Sequence, residues 1–196
     1  MKFKLKGRVI FFATNNANKF NEARRVLGEY GVAVGMLRIK SLETQSDSLE
    51  EIAEASVADA FKKANLPLIV EDAGLFVEAL NGFPGPYAAY VYRTIGNKGL
   101  LQLMNKKENR EAKFKSVIAY LSKELERPTC FHGEVAGKIT MKEKREEHSS
   151  GFGFDPIFCP SDYDRTFAEM SMAEKNTLSH RAKALRKFAQ WYRSLL

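Results

Sequence analysis

The chain has few of the features that mark membrane, secreted or metal-thiolate proteins. Its 196 residues include two cysteines, Cys130 and Cys159, which lie in unrelated segments without a metal-ligand or redox spacing. No apolar run reaches the roughly 18–20 residues that a membrane-spanning helix needs. The apolar stretch after the basic residues 2–8 is short and lacks a small-residue cleavage site, so it is interpreted as a strand. These absences predict a cytoplasmic protein with no membrane partner.

Several catalytic patterns are also missing. No serine or cysteine lies in a nucleophile-elbow or papain-like context, so covalent catalysis has no support. The three histidines, His132, His148 and His180, do not form a metal-ligand spacing. The Gly-rich spacing of a Walker loop is absent as well. What remains is chemistry carried by carboxylates, amides, lysines and arginines.

The charge balance indicates an anionic partner without identifying it. Lysine and arginine number 31 against 24 aspartates and glutamates, which gives a net charge of +7. Such an excess suits either nucleic acid or a phosphorylated small molecule. The positive residues are spread over 2–8, 138–145 and 183–193, as on an ordinary solvated surface. Charge alone therefore does not decide between these interpretations.

Hydrophobic patterning predicts one α/β domain over residues 1–196, since the length suits a single domain with one sizeable core. The predicted elements of the first seventy residues are strands at 8–14, 32–40 and 66–71 and helices at 17–30 and 48–64. Ser48 is expected to cap the second helix, with Glu51 at capping-box distance. The alternation of strand and helix predicts a partly parallel sheet covered on both faces.

The remaining residues predict a different architecture. The expected elements are a strand at 75–80, a Gly/Pro loop at 81–89, a helix at 97–105, long strands at 111–122 and 129–141, and a closing helix capped by Ser179. Two consecutive long strands favour an antiparallel pair that elongates the sheet or forms a lobe. The fold prediction is thus an elongated mixed sheet flanked by helices.

The first candidate site is "FFATNNANKF", residues 11–20, where a buried strand turns into a helix. A helix N-terminus presents unpaired N–H groups and a favourable dipole to an anion. Thr14 and Asn16 can add hydrogen bonds, and Lys19 can reach a phosphate as a point charge. Asn and Thr are also common helix caps, so capping alone is the competing interpretation.

The second candidate is a set of carboxylates. Glu71 and Asp72 are predicted to end a buried strand, at the position where α/β proteins place ligands. Asp72 can bind a divalent cation or act as a general base for water. Glu43 follows the second strand and, by topology, is expected near the same sheet edge. With Asp72 it would form a Mg²⁺ site of oxygen ligands; loop capping is the alternative.

Two further segments suit recognition of a base and of phosphates. "GFGFDP", residues 151–156, offers an aromatic ring for stacking and an Asp that accepts from a ring N–H, although an aromatic-rich turn is the alternative. "EKNTLSHR" gathers Lys175, Ser179, His180 and Arg181 at a helix start. His180 is more simply interpreted as a packed or capping histidine than as a catalyst.

In this order, the four segments resemble the inosine triphosphate pyrophosphatase family, the Ham1-like nucleoside triphosphate pyrophosphatases. Its [ST]-x-N-x-x-K signature is met by Thr14, Asn16 and Lys19, and its E-D-S-G-L and P-G-x-Y segments are similar to "EDAGL" and "GFPGPY". Its F-G-[YW]-D-P and K-N…S-H-R motifs are similar to "FGFDP" and "KNTLSHR". The resemblance extends from residue 8 to about 190.

The resemblance implies an ITPase-like fold of two lobes with a central nucleotide cleft, usually in a homodimer. It implies hydrolysis of ITP, dITP and XTP to the monophosphate and pyrophosphate with Mg²⁺, and no nucleic-acid partner. The implied catalytic residues are Asp72 and Lys19, and the implied metal ligands are Glu43 and Asp72. The implied substrate-binding residues are Thr14, Asn15, Asn16, Ala17, Asn18, Lys19, Ala73, Phe152, Gly153, Phe154, Asp155, Lys175, His180 and Arg181.

Three positions depart from the family pattern. Ala73 replaces the commoner Ser, Phe154 replaces Tyr or Trp, and Ala89 stands where a basic residue is often found. Two alternatives remain open at this point. One is a Maf-like nucleotide pyrophosphatase with another base preference. The other is a basic nucleic-acid-binding protein, which the acids at 43 and 72 argue against.

Overall fold

The computed structural model describes residues 9–39, 44–144 and 151–195. The strands are β1 (Val9–Ala13), β2 (Ala33–Leu37), β3 (Leu68–Val77), β4 (Pro84–Gly85), β5 (Glu111–Leu121), β6 (Thr129–Ile139) and β7 (Phe158–Pro160). The α-helices are α1 (Ala17–Gly28), α2 (Leu49–Ala64), α3 (Ala88–Thr94), α4 (Gly96–Leu103), α5 (Met172–Leu178) and α6 (His180–Ser194). Among the described residues, no helix has the length and apolar character needed to cross a membrane.

The strands form one mixed sheet. Its order is β2-β1-β3-β5-β6-β7, and β4 pairs with β3 outside this path. Strand β1 is parallel to β2 and to β3, whereas β4 is antiparallel to β3 and β7 to β6. The predicted α/β class and mixed sheet are therefore confirmed. The parallel part arises from the β-α-β-α-β order of the first seventy residues, since parallel neighbours need a crossover connection.

Strand β3 joins most of the two strands predicted at 66–71 and 75–80, so the predicted break between them is wrong. The predicted end is also wrong, because Glu78–Leu80 form a short 3-10 helix. Strand β3 runs for 10 residues through Glu71, Asp72 and Gly74. Asp and Gly are depleted in strands, which is why the sequence suggested a loop there. Tertiary pairing overrides that preference, because β4 adds an antiparallel partner at Leu75 and Phe76.

Helix α2 begins as predicted, but its cap is built differently. The Ser48 side chain accepts a hydrogen bond from the Glu51 amide at 3.3 Å, as a cap does. The Glu51 carboxylate accepts from the Ser46 hydroxyl at 2.6 Å, and Ser46 in turn accepts from the Ser48 amide. Ser46 thus stands between the two partners that a capping box would join directly. Helices α3 and α5 were not predicted, since both are only 7 residues long.

The chain folds into two compact units. The first unit comprises residues 1–72, 117–132 and 182–196, and the second unit comprises residues 73–116 and 133–181. Each has its own apolar core. In the first unit α1 and α6 contribute Leu27, Leu185 and Phe188 to a cluster with Ile10 and Phe12. The core of the second unit is built mainly from strand and turn residues, including Leu75, Val135, Phe158 and Phe167. The expected cleft between two lobes stays a prediction.

Candidate active site

The turn between β1 and α1 is organised by its own polar side chains. Thr14 Oγ1 accepts from the Asn16 amide at 3.1 Å, and the Thr14 amide donates to the Leu37 carbonyl of β2. Asn16 is the N-cap of α1, and its Oδ1 accepts from the amides of Asn18 and Lys19 at 3.0 and 3.2 Å. The capping interpretation is therefore confirmed, and two amides of the first helical turn already have a partner. Asn15, Ala17 and Asn18 lie exposed around this turn.

Lys19 makes the most definite contact of this region. Its ammonium lies 2.8 Å from Glu71 Oε2 and 3.5 Å from the Glu71 carbonyl oxygen. The Glu71 side chain is fully buried, whereas 22% of the Lys19 side chain is exposed. A buried carboxylate thus holds a lysine whose side chain remains partly exposed. Sequence reasoning gave Lys19 a role towards phosphate but did not predict this partner.

Asp72 follows Glu71 within β3, and neighbouring residues of a strand point to opposite faces of the sheet. The prediction that both acids end the strand is wrong, because β3 continues to Val77. They nevertheless lie just past the carboxyl end of the neighbouring strand. Phe11 and Phe12 of β1 pair with Leu68 and Ile69, and β1 ends at Ala13, so Glu71 stands level with the turn after β1. That edge of a parallel sheet is where ligands bind in α/β proteins.

The predicted site residues Glu43 and Ala73 belong to the same region of the sequence-predicted site as Asp72. Glu43, the other predicted metal ligand, lies outside the described residues. Ala73 follows Asp72 and is half-buried in β3. The next residue, Gly74, explains the glycine of the "EDAGL" motif, because a Cβ there would clash with the Gly85 carbonyl oxygen. The close approach of β3 and β4 therefore requires glycine, and it ties this motif to the "FPGPY" segment.

In the second unit the "GFGFDP" segment is a turn closed by Asp155. Asp155 Oδ2 accepts from the Phe152 amide at 2.8 Å and pairs with the Lys175 ammonium at 2.7 Å. Both side chains are almost completely buried. Gly153 has φ +61°, a conformation that a residue with a side chain rarely adopts, which accounts for glycine in the turn. Asp155, predicted to accept from a base, is thus also an internal ion-pair partner.

Phe152 lies against two cations. The Lys175 ammonium is 4.7 Å from the centre of its ring, and the Arg181 guanidinium carbon is 5.4 Å away. Such cation–π contacts are attractive and orient the charged groups. Phe152 therefore helps to hold Lys175 and Arg181 in place, a role that the sequence did not predict. Its predicted stacking on a base stays a prediction.

Phe154 and His180 are packed residues in this structure. Phe154 is 3% exposed and contacts the Tyr92 ring edge-on at 5.5 Å. Its burial favours the half-buried Phe152 over Phe154 as the ring that would meet a ligand. His180, at the start of α6, stacks on Phe114 with ring centres 4.7 Å apart and an interplanar angle of 9°. His180 is therefore packed on an aromatic ring, and its predicted contact with substrate stays a prediction.

Two further residues are Ala89, which departs from the family pattern, and Asn176, for which the sequence predicted no role. Ala89, where the resembling family often has a basic residue, is exposed on α3, as is Arg93 on the same helix. Asn176 follows Lys175 in the "KNTLSHR" segment, and the sequence predicted no role for it. It is 2% exposed, and neither atom of its amide has a hydrogen-bond partner among the described residues. Buried amide groups usually have hydrogen-bond partners, so Asn176 is a candidate for contact with a bound ligand.

Comparison with known proteins identifies the family. The family model described as the Ham1 family matches residues 10–191. The chain belongs to the Ham1 family. It is 49% identical over 185 residues to the dITP/XTP pyrophosphatase of Methanopyrus kandleri, covering 94% of this chain and 96% of the relative. The dITP/XTP pyrophosphatase of Thermococcus kodakarensis is also 49% identical over 185 residues, covering 94% of this chain and 97% of the relative.

Solved structures of Ham1 proteins agree with this assignment. The Ham1 protein of Staphylococcus aureus has a TM-score of 0.82 and 30% identity, covering 96% of this chain and 100% of that one. A HAM1 protein from Coxiella burnetii also has a TM-score of 0.82, with 26% identity and coverage of 95% and 98%. The ITPase-like fold expected from the motifs is therefore confirmed.

Proposed function

We propose that this Ham1-family chain is a hydrolase that converts ITP, dITP and XTP to the nucleoside monophosphate and pyrophosphate. The observation that carries the proposal is its near full-length similarity to curated dITP/XTP pyrophosphatases. This activity removes deaminated purine nucleotides from the nucleotide pool. A Maf-like pyrophosphatase with another base preference is not favoured, because the Ham1 model matches residues 10–191.

The phosphate chemistry is assigned to the turn after β1. Lys19 reaches a phosphate oxygen as a point charge, while the buried Glu71 limits the positions of its ammonium. Thr14 and the exposed residues Asn15, Ala17 and Asn18 line the turn and contact the phosphate chain. Since Asn16 Oδ1 already binds two amides, its own contribution to a phosphate is the remaining amide nitrogen. The turn thus combines a cap with an anion site.

Hydrolysis needs a base and a divalent cation. Asp72 is proposed as the general base, which takes a proton from the water that attacks the triphosphate. Glu43 and Asp72 would hold Mg²⁺, because carboxylate oxygens are the ligands that this ion prefers. The ion would neutralise charge on the phosphate oxygens. The residues of the chain then orient the triphosphate and accept the proton.

Base recognition is assigned to the second unit. The 6-oxo group and N1–H of a deaminated purine need a donor and an acceptor, which Lys175, His180, Arg181 and Asp155 supply. Adenine reverses both polarities and would leave buried groups unpaired, which can reduce the rate by roughly 10⁴-fold. Phe152, Gly153 and Phe154 shape the turn that holds Asp155. Guanine shares the 6-oxo and N1–H pattern, so its exclusion must depend on its 2-amino group.

One assay panel tests the proposal. Pyrophosphate release is measured from ITP, XTP, GTP, ATP and dUTP, with and without Mg²⁺. We expect rapid release from ITP and XTP that depends on the cation, and slow release from the other three. Equal rates on all five nucleotides would contradict selective hydrolysis. Salt-dependent duplex binding without pyrophosphate release would instead favour a nucleic-acid-binding protein.

A homodimer in the cytoplasm is the proposed state of the enzyme. Helix α3 and the residues on either side of it expose Tyr87, Tyr90 and Ile95, with Tyr90 61% exposed. Grouped exposed apolar residues commonly mark an interaction surface. Light scattering should give the mass of a dimer for the wild type and of a monomer for Tyr90→Glu. A monomeric wild type at micromolar concentration would contradict this part of the proposal.

A further inference from the structure

A cluster of potential metal ligands lies in the first unit, among residues without a role in the proposed hydrolysis. Glu50 and Glu54 are four residues apart on α2, which places them on one face of the helix. Cys130 and His132 are two residues apart on β6, which places them on one face of the strand. Helix and strand thus each present two side chains of metal-binding type.

Three of these side chains are mutually close, and the fourth, His132, contacts one of them. One ligand atom from each of Glu50, Glu54 and Cys130 lies within 4.8 Å of the others. Cys130 Sγ is 3.9 Å from Glu54 Oε1, and His132 Nε2 is 3.4 Å from Glu50 Oε2. Ligands of a tetrahedral zinc ion lie about 3.3–3.8 Å apart, given bond lengths of about 2.0–2.3 Å. Glu50, Glu54 and Cys130 thus already approach these distances, and rotation of the His132 side chain from its contact with Glu50 would supply the fourth ligand.

We propose that Glu50, Glu54, Cys130 and His132 bind a transition-metal cation of the Zn²⁺ type. The ligand set is the reason for this class. A thiolate and an imidazole select Zn²⁺ or Co²⁺ over Mg²⁺ and Ca²⁺, which prefer a shell made only of oxygen. The site therefore differs in chemistry from the oxygen-only Mg²⁺ site of the proposed hydrolysis, and it goes beyond that function.

Local charge favours a cation at this position. Although the chain carries a net charge of +7, the carboxylates of Glu50 and Glu54 lie beside the half-buried thiol of Cys130. The neighbouring lysine, Lys187, donates to the His132 carbonyl at 2.8 Å. Its ammonium contacts the backbone of β6 and leaves the His132 ring nitrogen facing Glu50. Binding would form a metal–sulfur bond, break the S–H bond and release that proton to solvent.

Cobalt titration of the full-length protein tests the site, after treatment with a chelator. Co²⁺ bound to a thiolate gives a near-ultraviolet charge-transfer band that a carboxylate-only site cannot produce. We expect this band to grow to saturation at one ion per chain and to disappear when Zn²⁺ is added. The Cys130→Ser variant should lack the band. The matched control Cys159→Ser, which changes the other cysteine, should retain it.

A second variant keeps the test decisive if Cys130→Ser folds poorly. Glu54→Gln changes a residue of α2 that has no role in the proposed hydrolysis. It should weaken Co²⁺ binding on the order of ten-fold or more. Its Mg²⁺-dependent pyrophosphate release should equal that of wild type. Failure of the hydrolysis assay alone would leave the cobalt result intact. No band in the wild type, or the same band in Cys130→Ser, would overturn the proposed metal site.

Discussion

The buried ion pair between Asp155 and Lys175 allows the sharpest quantitative prediction. Its two charges lie 2.7 Å apart, and their side chains are 4% and 3% exposed. At an effective dielectric constant of about 20 their attraction is about 6 kcal/mol. Removing two ions from water costs several kcal/mol for each, so the intact pair contributes little net stability. Removing only one partner leaves the other charge buried without its ion pair, which costs about 3–5 kcal/mol.

We therefore expect Asp155→Asn to lower the free energy of unfolding by about 3–5 kcal/mol. The Asn side chain can still accept from the Phe152 amide, so the loss reports mainly the charge. The double variant Asp155→Asn with Lys175→Met should recover most of that loss, because no charge is then left unpaired. Urea unfolding followed by circular dichroism measures both, with an expected midpoint shift of about 1–2 M for the single variant.

An exposed pair supplies the control. Lys63 and Asp59 lie 2.6 Å apart on α2 with side chains 47% and 24% exposed. Because water screens such a pair, Asp59→Asn should cost at most about 0.5 kcal/mol. If Asp155→Asn changes stability as little as Asp59→Asn does, the reasoning about the buried pair is refuted. The same holds if the double variant is less stable than the single one.

Four further outcomes are expected. Asp72→Asn should lower kcat by about 10²–10⁴-fold with little change in ITP affinity, and a kcat within a few-fold of wild type would exclude Asp72 as the base. Lys19→Met should destabilise more than Glu71→Gln in urea unfolding, since it removes the cation from a fully buried carboxylate whereas Glu71→Gln removes the buried charge itself, and the reverse order would contradict the contact. Gly74→Ala should lower the melting temperature far more than Gly28→Ala, because a Cβ at Gly28 meets nothing within 4 Å, so equal melting temperatures would contradict the close approach of β3 and β4. Hydrogen bonds from the amide and hydroxyl of Ser171, followed by the Arg165 contact, lower the pKa of Glu174 from 4.5 to about 2. The stabilising effect of ionised Glu174 is therefore complete above pH 4.5 and is lost as the pH falls towards 2. Glu174→Gln should reduce the loss of melting temperature between pH 4.5 and pH 2, and an unchanged loss would refute this.

Much of the architecture could be predicted from local patterns. The helices α1 and α2 were predicted because apolar residues recur at helical spacing and capping side chains precede them. The alternation of β6 is real from Gly133 to Ile139, where every second residue is buried. It stops before Met141, which is 78% exposed, because the strand has ended by then. Local patterns thus predicted the elements better than their ends.

The carboxylate region shows why tertiary structure was needed for the rest. Asp72 and Gly74 suggested a loop, yet both lie inside β3, which pairs with β4 at Leu75 and Phe76. The contact of Lys19 with Glu71 joins residues 52 positions apart, and no local spacing encodes it. Similarly, "GFGFDP" has a composition that suits a ligand platform. Only packing shows that Phe154 lies in the core while Phe152 contacts two cations.

By itself, the sequence determined the family, the chemical types at each motif and the strand–helix order of the first seventy residues. These properties depend on residue identity and short-range periodicity, which are written in the chain directly. The tertiary structure decided which charges are paired and which rings are buried. Asp155 and Lys175 are 20 positions apart, and their pairing depends on how the turn and α5 pack. Burial and long-range contact are properties of the folded chain, because they arise only when distant segments exclude water together.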